Sequence, residues 1–223
     1  MASLRIMSSN LLVDQADPVS LAAVIAEVNP DVIAIQELGF SSAEVIAASH
    51  PHGHLDPRDD YFGLGIATKR PVTVERLHLP ERAGWVARLD PEDWPELKTP
   101  IEVLDVHLLN PLERPWKATQ ATRREQIAGA RDRVEETGLP SVIVGDMNST
   151  PRWPEYKLLA EIGIDAAKAT GTAKPTWFQT IWGPRAIRID HAFVRGLTPI
   201  TTSLRKVRGS DHRALILDVE VPA

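Results

Sequence analysis

Short apolar runs bounded by Gly, Pro, Asn or Asp recur along the whole chain, the pattern of many short buried strands joined by tight turns. Residues 4–11 alternate as a first strand. Asp17-Pro18 then offers an N-cap followed by proline at the first helical position, Leu21, Val24, Ile25 and Val28 recur at helical spacing, and Asn29-Pro30 stops the helix. Val32 to Ile35 is a continuous apolar run of strand length, the kind covered on both faces. A short helix over 41–48 follows, then strands over 64–68, 72–79 and 85–89, with turns at 69–71 and 80–84. The second half repeats the plan: a strand over 101–107, a long amphipathic helix over 119–136 with Ile127, Ala130 and Val134 on one face, and a strand at 142–144. A short helix opening at Ser149-Thr150-Pro151 and strands over 186–194 and 214–221 complete it.

Two halves of similar plan, each of strands with interspersed helices, predict an α/β fold of two sheets packed face to face with helices outside. A length of 223 residues, 43% of them hydrophobic, without a linker or low-complexity tract, fits one domain over 1–223 with a substantial core. The absence of cysteine excludes disulfides and thiolate metal sites. Met1-Ala2-Ser3 leads straight into the first strand without a basic and apolar leader, and no run approaches a membrane span. The chain therefore reads as soluble and cytoplasmic, a removed leader or anchor being the alternative.

Charge is uneven. Residues 1–111 carry 8 Lys/Arg against 17 Asp/Glu and residues 112–223 carry 17 against 13, which splits the net −5 into −9 and +4. Arg114, Lys117, Arg123, Arg124, Arg185, Arg188, Arg205, Lys206, Arg208 and Arg213 crowd the later segments, where a positive field would draw in an anionic substrate. The plainer reading is a solvated face of paired arginines, and a nucleic-acid footprint would normally be more basic overall.

Candidate chemistry sits at strand ends. Ile35-Gln36-Glu37, Gly145-Asp146-Met147-Asn148, Ile189-Asp190-His191 and Ser210-Asp211-His212 each close or open an apolar run. A buried strand holds an unpaired carboxylate only at a cost of several kcal/mol, about the desolvation penalty, whereas strand ends facing one cleft can hold several around a cation. A hard cation such as Mg²⁺ takes oxygen ligands and keeps several waters, so Glu37 with an amide such as Asn10 would serve. The two-residue period sends Asp146 and Asn148 to the same side, and Gly145 permits close approach. Asp190 and His212 have the makings of a carboxylate-histidine pair, with Asp211 free to meet a metal and His107 as another strand-end imidazole. His50, His52 and His54 read as a polar loop lacking companion ligands, and His191, alternating to the opposite face from Asp190, as a packing residue. Trp116, Trp153, Trp177 and Trp182 could floor a substrate cleft or cap the core edge.

The ordered set Asn10, Gln36-Glu37, His107 with Asn110, Gly145-Asp146-Met147-Asn148, Ile189-Asp190-His191 and Ser210-Asp211-His212 resembles the endonuclease/exonuclease/phosphatase (DNase I-like) superfamily over nearly the whole chain. The resemblance implies a four-layer α/β/β/α sandwich with a Mg²⁺- or Mn²⁺-dependent phosphoesterase site at one edge of two mixed sheets. It implies Glu37 as principal metal ligand, supported by Asn10 and Asp211. Asp146 and His212 jointly would activate water, with Asp190 pairing His212. Asn148, His107 and Asn110 would hold the phosphate. Histidine at 107 is unlike the abasic-site endonuclease branch, and Leu12, where many nucleases carry an acid, leaves a single metal. The implied substrate is a phosphate ester: a diester, nucleic acid included, or alternatively a small-molecule or lipid-headgroup monoester. A monomer is favoured. A non-catalytic domain of this fold would be expected to have lost one of these residues, and all are present.

Overall fold

The computed structural model describes residues 2–113, 115–179 and 185–221, so Arg114 and Trp182 lie outside the described residues. The elements run β1 (Ser3–Val13), α1 (Pro18–Val28), β2 (Val32–Leu38), α2 (Phe40–Ser49), β3 (His52–Asp56), β4 (Leu64–Thr68), β5 (Thr73–Leu79), β6 (Arg82–Leu89) and β7 (Ile101–Val106). They continue with α3 (Trp116–Thr137), β8 (Ser141–Asp146), α4 (Pro154–Ile162), β9 (Ile164–Asp165), α5 (Ala166–Ala169), β10 (Trp177–Gln179), β11 (Arg185–Ile187), β12 (Asp190–Arg195), β13 (Thr198–Lys206) and β14 (Arg213–Glu220).

Two six-stranded sheets carry the fold, in the orders β13-β14-β1-β2-β4-β3 and β5-β6-β7-β8-β12-β9, with β10 and β11 a separate hairpin. Their plans correspond. Each centres on a parallel pair, β1–β2 or β7–β8, joined by a crossover helix and flanked on both sides by antiparallel neighbours. Alternation along each central strand sends one set of side chains between the sheets and the other under the helices. Leu4, Ile6, Val32 and Ala34 meet Val103, Val142, Val144 and Ala192 in the inter-sheet core. Met7, Ile33 and Ile35 instead lie under Leu21, Val24 and Ile25 of α1 and Ile46 of α2. Leu104, Ile143 and Phe193 lie under Ile127 and Val134 of α3 and Leu159 of α4. The result is the expected four-layer α/β/β/α sandwich.

Several boundaries differ from the sequence reading, each for a local reason. The turn expected over 80–84 shrinks to Pro80-Glu81, where Glu81 takes a left-handed φ of 58° and β6 starts at Arg82. The helix expected from Ser149 starts at Pro154, because Ser149 to Trp153 belong to the site loop. The single strand expected over 186–194 breaks at Arg188-Ile189, where Arg188 turns inward onto Asp165 at 2.6 Å. The polar loop expected around His52 is the edge strand β3, whose His54 and Gly53 face solvent and leave no apolar alternation to read. The edge strand β13 was hidden for the same reason.

Candidate active site

The ends of β1, β2, β7 and β8 and the starts of β12 and β14 open on one edge of the sandwich, around a cavity of about 780 Å³. Glu37, His107, Asn110, Asp146, Asn148, Asp211 and His212 all line it. Asn10 and Asp190 lie directly behind them, buried.

Sheet one contributes Asn10, Glu37, Asp211 and His212. Leu12 and Val13 take left-handed φ values of 53° and 57° where β1 shifts register after Asn10, and Glu37 does so at 51°. Left-handed φ in bulky residues is strain, and such strain gathers where a side chain must be aimed. Asn10 Nδ2 donates to Glu37 Oε1 at 2.9 Å and to Asp146 Oδ2 at 3.2 Å, while Asn10 Oδ1 accepts from the Leu12 amide at 3.0 Å. Asn10 therefore ties carboxylates from both sheets together. Ser210 fixes the last motif, its Oγ donating to the Asn10 carbonyl at 2.7 Å and accepting from the His212 amide at 3.0 Å.

Sheet two contributes His107, Asn110, Asp146, Asn148 and Asp190. Gly145 has φ 139°, and a Cβ there would lie 1.9 Å from the Val106 carbonyl oxygen, so only glycine lets β8 pass β7 and deliver Asp146. Asp146 Oδ1 accepts from the Asn148 amide at 2.8 Å. Asn148, at φ 46°, lines the cavity and donates one of its two amide hydrogens to the Leu108 carbonyl at 3.0 Å. Asn110 Oδ1 accepts from the Leu112 amide at 2.9 Å and closes the loop after His107. Asp190 sits directly opposite Asp146 in the β8–β12 register. His212 crosses from the other sheet to donate through Nδ1 to Asp190 at 2.9 Å, with Nε2 at 3.8 Å from Asp146.

Electrostatics sort these groups. Burial pushes the Asp146 carboxyl upward, the neighbouring Asp190 charge adds to that, and the His212 charge opposes it. Burial alone would keep His212 neutral, but the charge of Asp190, its hydrogen bond, and the charges of Asp146 and Asp211 raise it to about 10. His107 is pushed well down by burial, then by the charges of Arg82 and His212, and is neutral. Burial raises the Glu37 carboxyl, with the Asn10 hydrogen bond and the His212 charge opposing.

Two carboxylate oxygens at the site are buried without a hydrogen-bond partner among the described residues, Glu37 Oε2 and Asp211 Oδ1. Orphaned anionic oxygens from two strand ends suit a hard divalent cation. Asp146, Asp190 and His212 also place one ligand atom each within 4.8 Å of one another. That second group is the poorer cage, since Asp190 and His212 Nδ1 already satisfy each other.

Sequence reasoning named Trp177 only as a possible cleft residue, which it is, beside Trp153, and missed the places of Arg123 and Arg82. Trp177, on β10, donates its indole N–H to Asp211 Oδ2 at 2.8 Å, leaving Oδ1 as the open oxygen. Arg123, read from sequence as part of a positive field, is wholly buried: it donates to the Leu109 carbonyl and to the Asn148 carbonyl at 3.1 Å, stitching the two loops of sheet two. Arg82, from the acidic half of the chain, lines the cavity. A lone tryptophan or arginine far from any motif gives no periodic or spacing signal. His191 is the packing residue expected, buried against Tyr156 and Phe193 with Nε2 donating to the Ser149 carbonyl at 2.8 Å. His50 is buried, its Nε2 donating to the Pro30 carbonyl at 2.9 Å rather than serving a metal.

The sequence matches the model of the endonuclease/exonuclease/phosphatase family over residues 7–212, and the chain belongs to that family. It is accordingly a hydrolase of phosphate esters, and enzymes of this family depend on divalent metal. Solved structures of the same fold include an endonuclease/exonuclease/phosphatase from Beutenbergia cavernae, 21% identical, covering 100% of this chain and 72% of that one at TM-score 0.77. TDP2 of D. rerio, solved with a single-strand DNA product, is 18% identical over 99% of this chain and 100% of that one at TM-score 0.74. The 3′ phosphatase NExo from Neisseria, solved with a product DNA hairpin, is 18% identical over 99% and 100% of the two chains at TM-score 0.77. No curated protein matches the sequence significantly.

Proposed function

We propose that this protein hydrolyses a phosphodiester by direct in-line attack of water, with Mg²⁺ or Mn²⁺ as cofactor. The observation that carries this reading is the meeting of Glu37, Asp146 and His212 around one cavity, joined through Asn10 and Asp190 across two sheets. Glu37 and Asp211 would hold the cation, which when bound supplies charge neutralisation on the phosphoryl and leaving oxygens. Asp146 is the base: burial raises its proton affinity toward the working pH, and the Asn148 amide and Asn10 fix its oxygens. His212, held charged by Asp190, is a donor to the developing negative charge on phosphorus rather than the proton acceptor. His107 is neutral and, with Asn148 and Asn110, offers N–H donors to phosphate oxygens.

A second reading, a phosphomonoesterase for a small-molecule or lipid-headgroup ester, has its own support. The arginines of the basic half are mostly engaged internally: Arg188 with Asp165, Arg205 with Glu27, Arg208 with Asp17, Arg124 with Glu155. Each of these pairs lowers the charge left to track a polyanion, although Arg185 lines the cavity. Against this, relatives of the fold were solved with DNA. Among the described residues no helix is long and apolar enough to cross a membrane. Turnover of plasmid DNA, RNA, bis-p-nitrophenyl phosphate and p-nitrophenyl phosphate, with Mg²⁺, with Mn²⁺ and with EDTA, separates the two. Metal-dependent cleavage of diesters supports the first, hydrolysis of monoesters alone supports the second, and no hydrolysis of any overturns both.

A further inference from the structure

The buried stripe of α3 changes character along its length. From Ile127 to Val134 it is apolar and covers sheet two, but its first turns present Thr119, Arg123 and Gln126. These three grip the loops at the end of that sheet. Thr119 Oγ1 donates to the Glu113 carbonyl at 3.1 Å. Gln126 Oε1 accepts from the Leu109 amide at 3.1 Å, while its Nε2 donates to the Pro80 carbonyl at 2.8 Å. Arg123, wholly buried, donates through Nη1 to the Leu109 carbonyl and through Nη2 to the Asn148 carbonyl at 3.1 Å and to Ser149 Oγ at 2.5 Å, with the Met147 carbonyl at 3.4 Å. All of these partners are neutral. A guanidinium taken out of water without an acid to pair is costly, and an apolar side chain would cover the sheet without that penalty, as Ile127 and Val134 do.

What the guanidinium does that an apolar group cannot is fix two chain segments against each other. One runs from His107 to Asn110 and the other from Asp146 to Ser149, so that together they carry His107, Asn110, Asp146 and Asn148 to the cavity. Asn148 shows the result most clearly. At its left-handed φ of 46°, its N–H is held by Asp146 at 2.8 Å, its carbonyl by Arg123, and its side chain by the Leu108 carbonyl at 3.0 Å. Leu109, between His107 and Asn110, is likewise held at its N–H by Gln126 and at its carbonyl by Arg123. From this geometry we infer that Arg123 is a positioning residue, which sets the separation of the two segments and so aims Asn148 at the substrate phosphate. The inference rests on the phosphoesterase reading above and adds a residue that touches neither substrate nor metal. A lysine at 123 would keep the charge but present one nitrogen in place of the rigid pair that reaches both segments. Misplacing a group at the reacting centre by about 1 Å costs on the order of 10²-fold in rate.

The test is a double-mutant cycle on kcat/KM with Arg123→Lys, Asn148→Ala and the two combined, on whichever of the four substrates above the wild type turns over fastest. Mg²⁺ binding by calorimetry and the fold by circular dichroism are measured alongside. Arg123→Lys should lower kcat/KM by about tenfold or more in the wild type, and by about threefold or less once Asn148 is alanine, because its effect passes through a side chain no longer there. Mg²⁺ affinity should be unchanged, since Glu37 and Asp211 belong to sheet one. A residue that served stability alone would lower the melting temperature without this coupling. Should Arg123→Lys fail to fold, Arg123→Met, which removes the buried charge, takes its place in the cycle with the same expectation. If neither folds, Arg123 serves the fold and the inference falls. A folded variant within about twofold of the wild-type kcat/KM, losses that multiply in the combined variant, or a loss of Mg²⁺ affinity in step with the rate overturns the positioning role and leaves the phosphoesterase reading standing. A wild type that hydrolyses none of the four substrates overturns that reading and the positioning role with it.

Discussion

The two sheets are built to one plan and put opposite chemistry at equivalent places. The parallel pair of sheet one ends in Asn10 and Glu37, and that of sheet two ends in His107 and Asp146. Glu37 keeps one carboxylate oxygen buried and unbonded, whereas both oxygens of Asp146 are held, by the Asn148 amide and by Asn10. Equivalent strand ends therefore differ in what they lack. On the proposed mechanism the open oxygen of Glu37 would meet the cation, while Asp146, fully oriented and raised in proton affinity by burial and Asp190, would take the proton. Asn10 and the Asp190–His212 pair cross between the sheets and make two half-sites one.

The largest effects should come from cutting each half separately. Glu37→Ala and Asp146→Asn should each lower turnover by about 10³-fold or more, from lost electrostatic stabilisation and lost base catalysis respectively. Raised metal concentration should partly restore the first but not the second, as steady-state rates against Mg²⁺ would show. Asp190→Asn should cost about 10²-fold in kcat, because the charge that holds His212 protonated is gone while the shape of the site is kept.

Gly145→Ala tests the geometry of sheet two without removing a polar side chain. The new Cβ meets the Val106 carbonyl at 1.9 Å in a backbone conformation closed to alanine, so stability should drop by about 2–4 kcal/mol in chemical denaturation. His191 gives the next effect down. Its folded-state pKa, lowered by burial and by the Arg188 charge to about 4, lies below the ordinary 6.5. Its contribution is therefore complete above pH 6.5 and is lost as pH falls from there through 4, by about 3 kcal/mol in total. Denaturation of the wild type and His191→Gln across that range should give curves that converge toward acid. Arg205→Ala, which removes an exposed pair with Glu27, should change stability by about 0.5 kcal/mol or less.

The fold was readable wherever a strand is covered on both faces. β2 and β8 appear as unbroken apolar runs because helices cover one side and the opposite sheet the other. Edge strands β3 and β13 were not readable, since half their residues face solvent and the alternation fails. At the site, the residues at strand ends were legible because apolar runs announce where a strand stops. The bond from Trp177 to Asp211 and the places of Arg123 and Arg82 were not, because each reaches the site from an element whose sequence obeys other demands. The positive field read from ten basic residues is thinned for a related reason: sequence counts charges but does not show their partners, and Arg123 and Arg188 are buried, while Arg185 lines the cavity.

Metal binding tests the central claim most directly, because it asks which of two neighbouring clusters is the cation site. The rise in melting temperature with Mg²⁺ or Mn²⁺ should be clear in the wild type, retained in Asp190→Asn, and absent in Glu37→Gln. A metal-dependent rise that survives Glu37→Gln and disappears in Asp190→Asn would place the ion between Asp146, Asp190 and His212 and contradict the account.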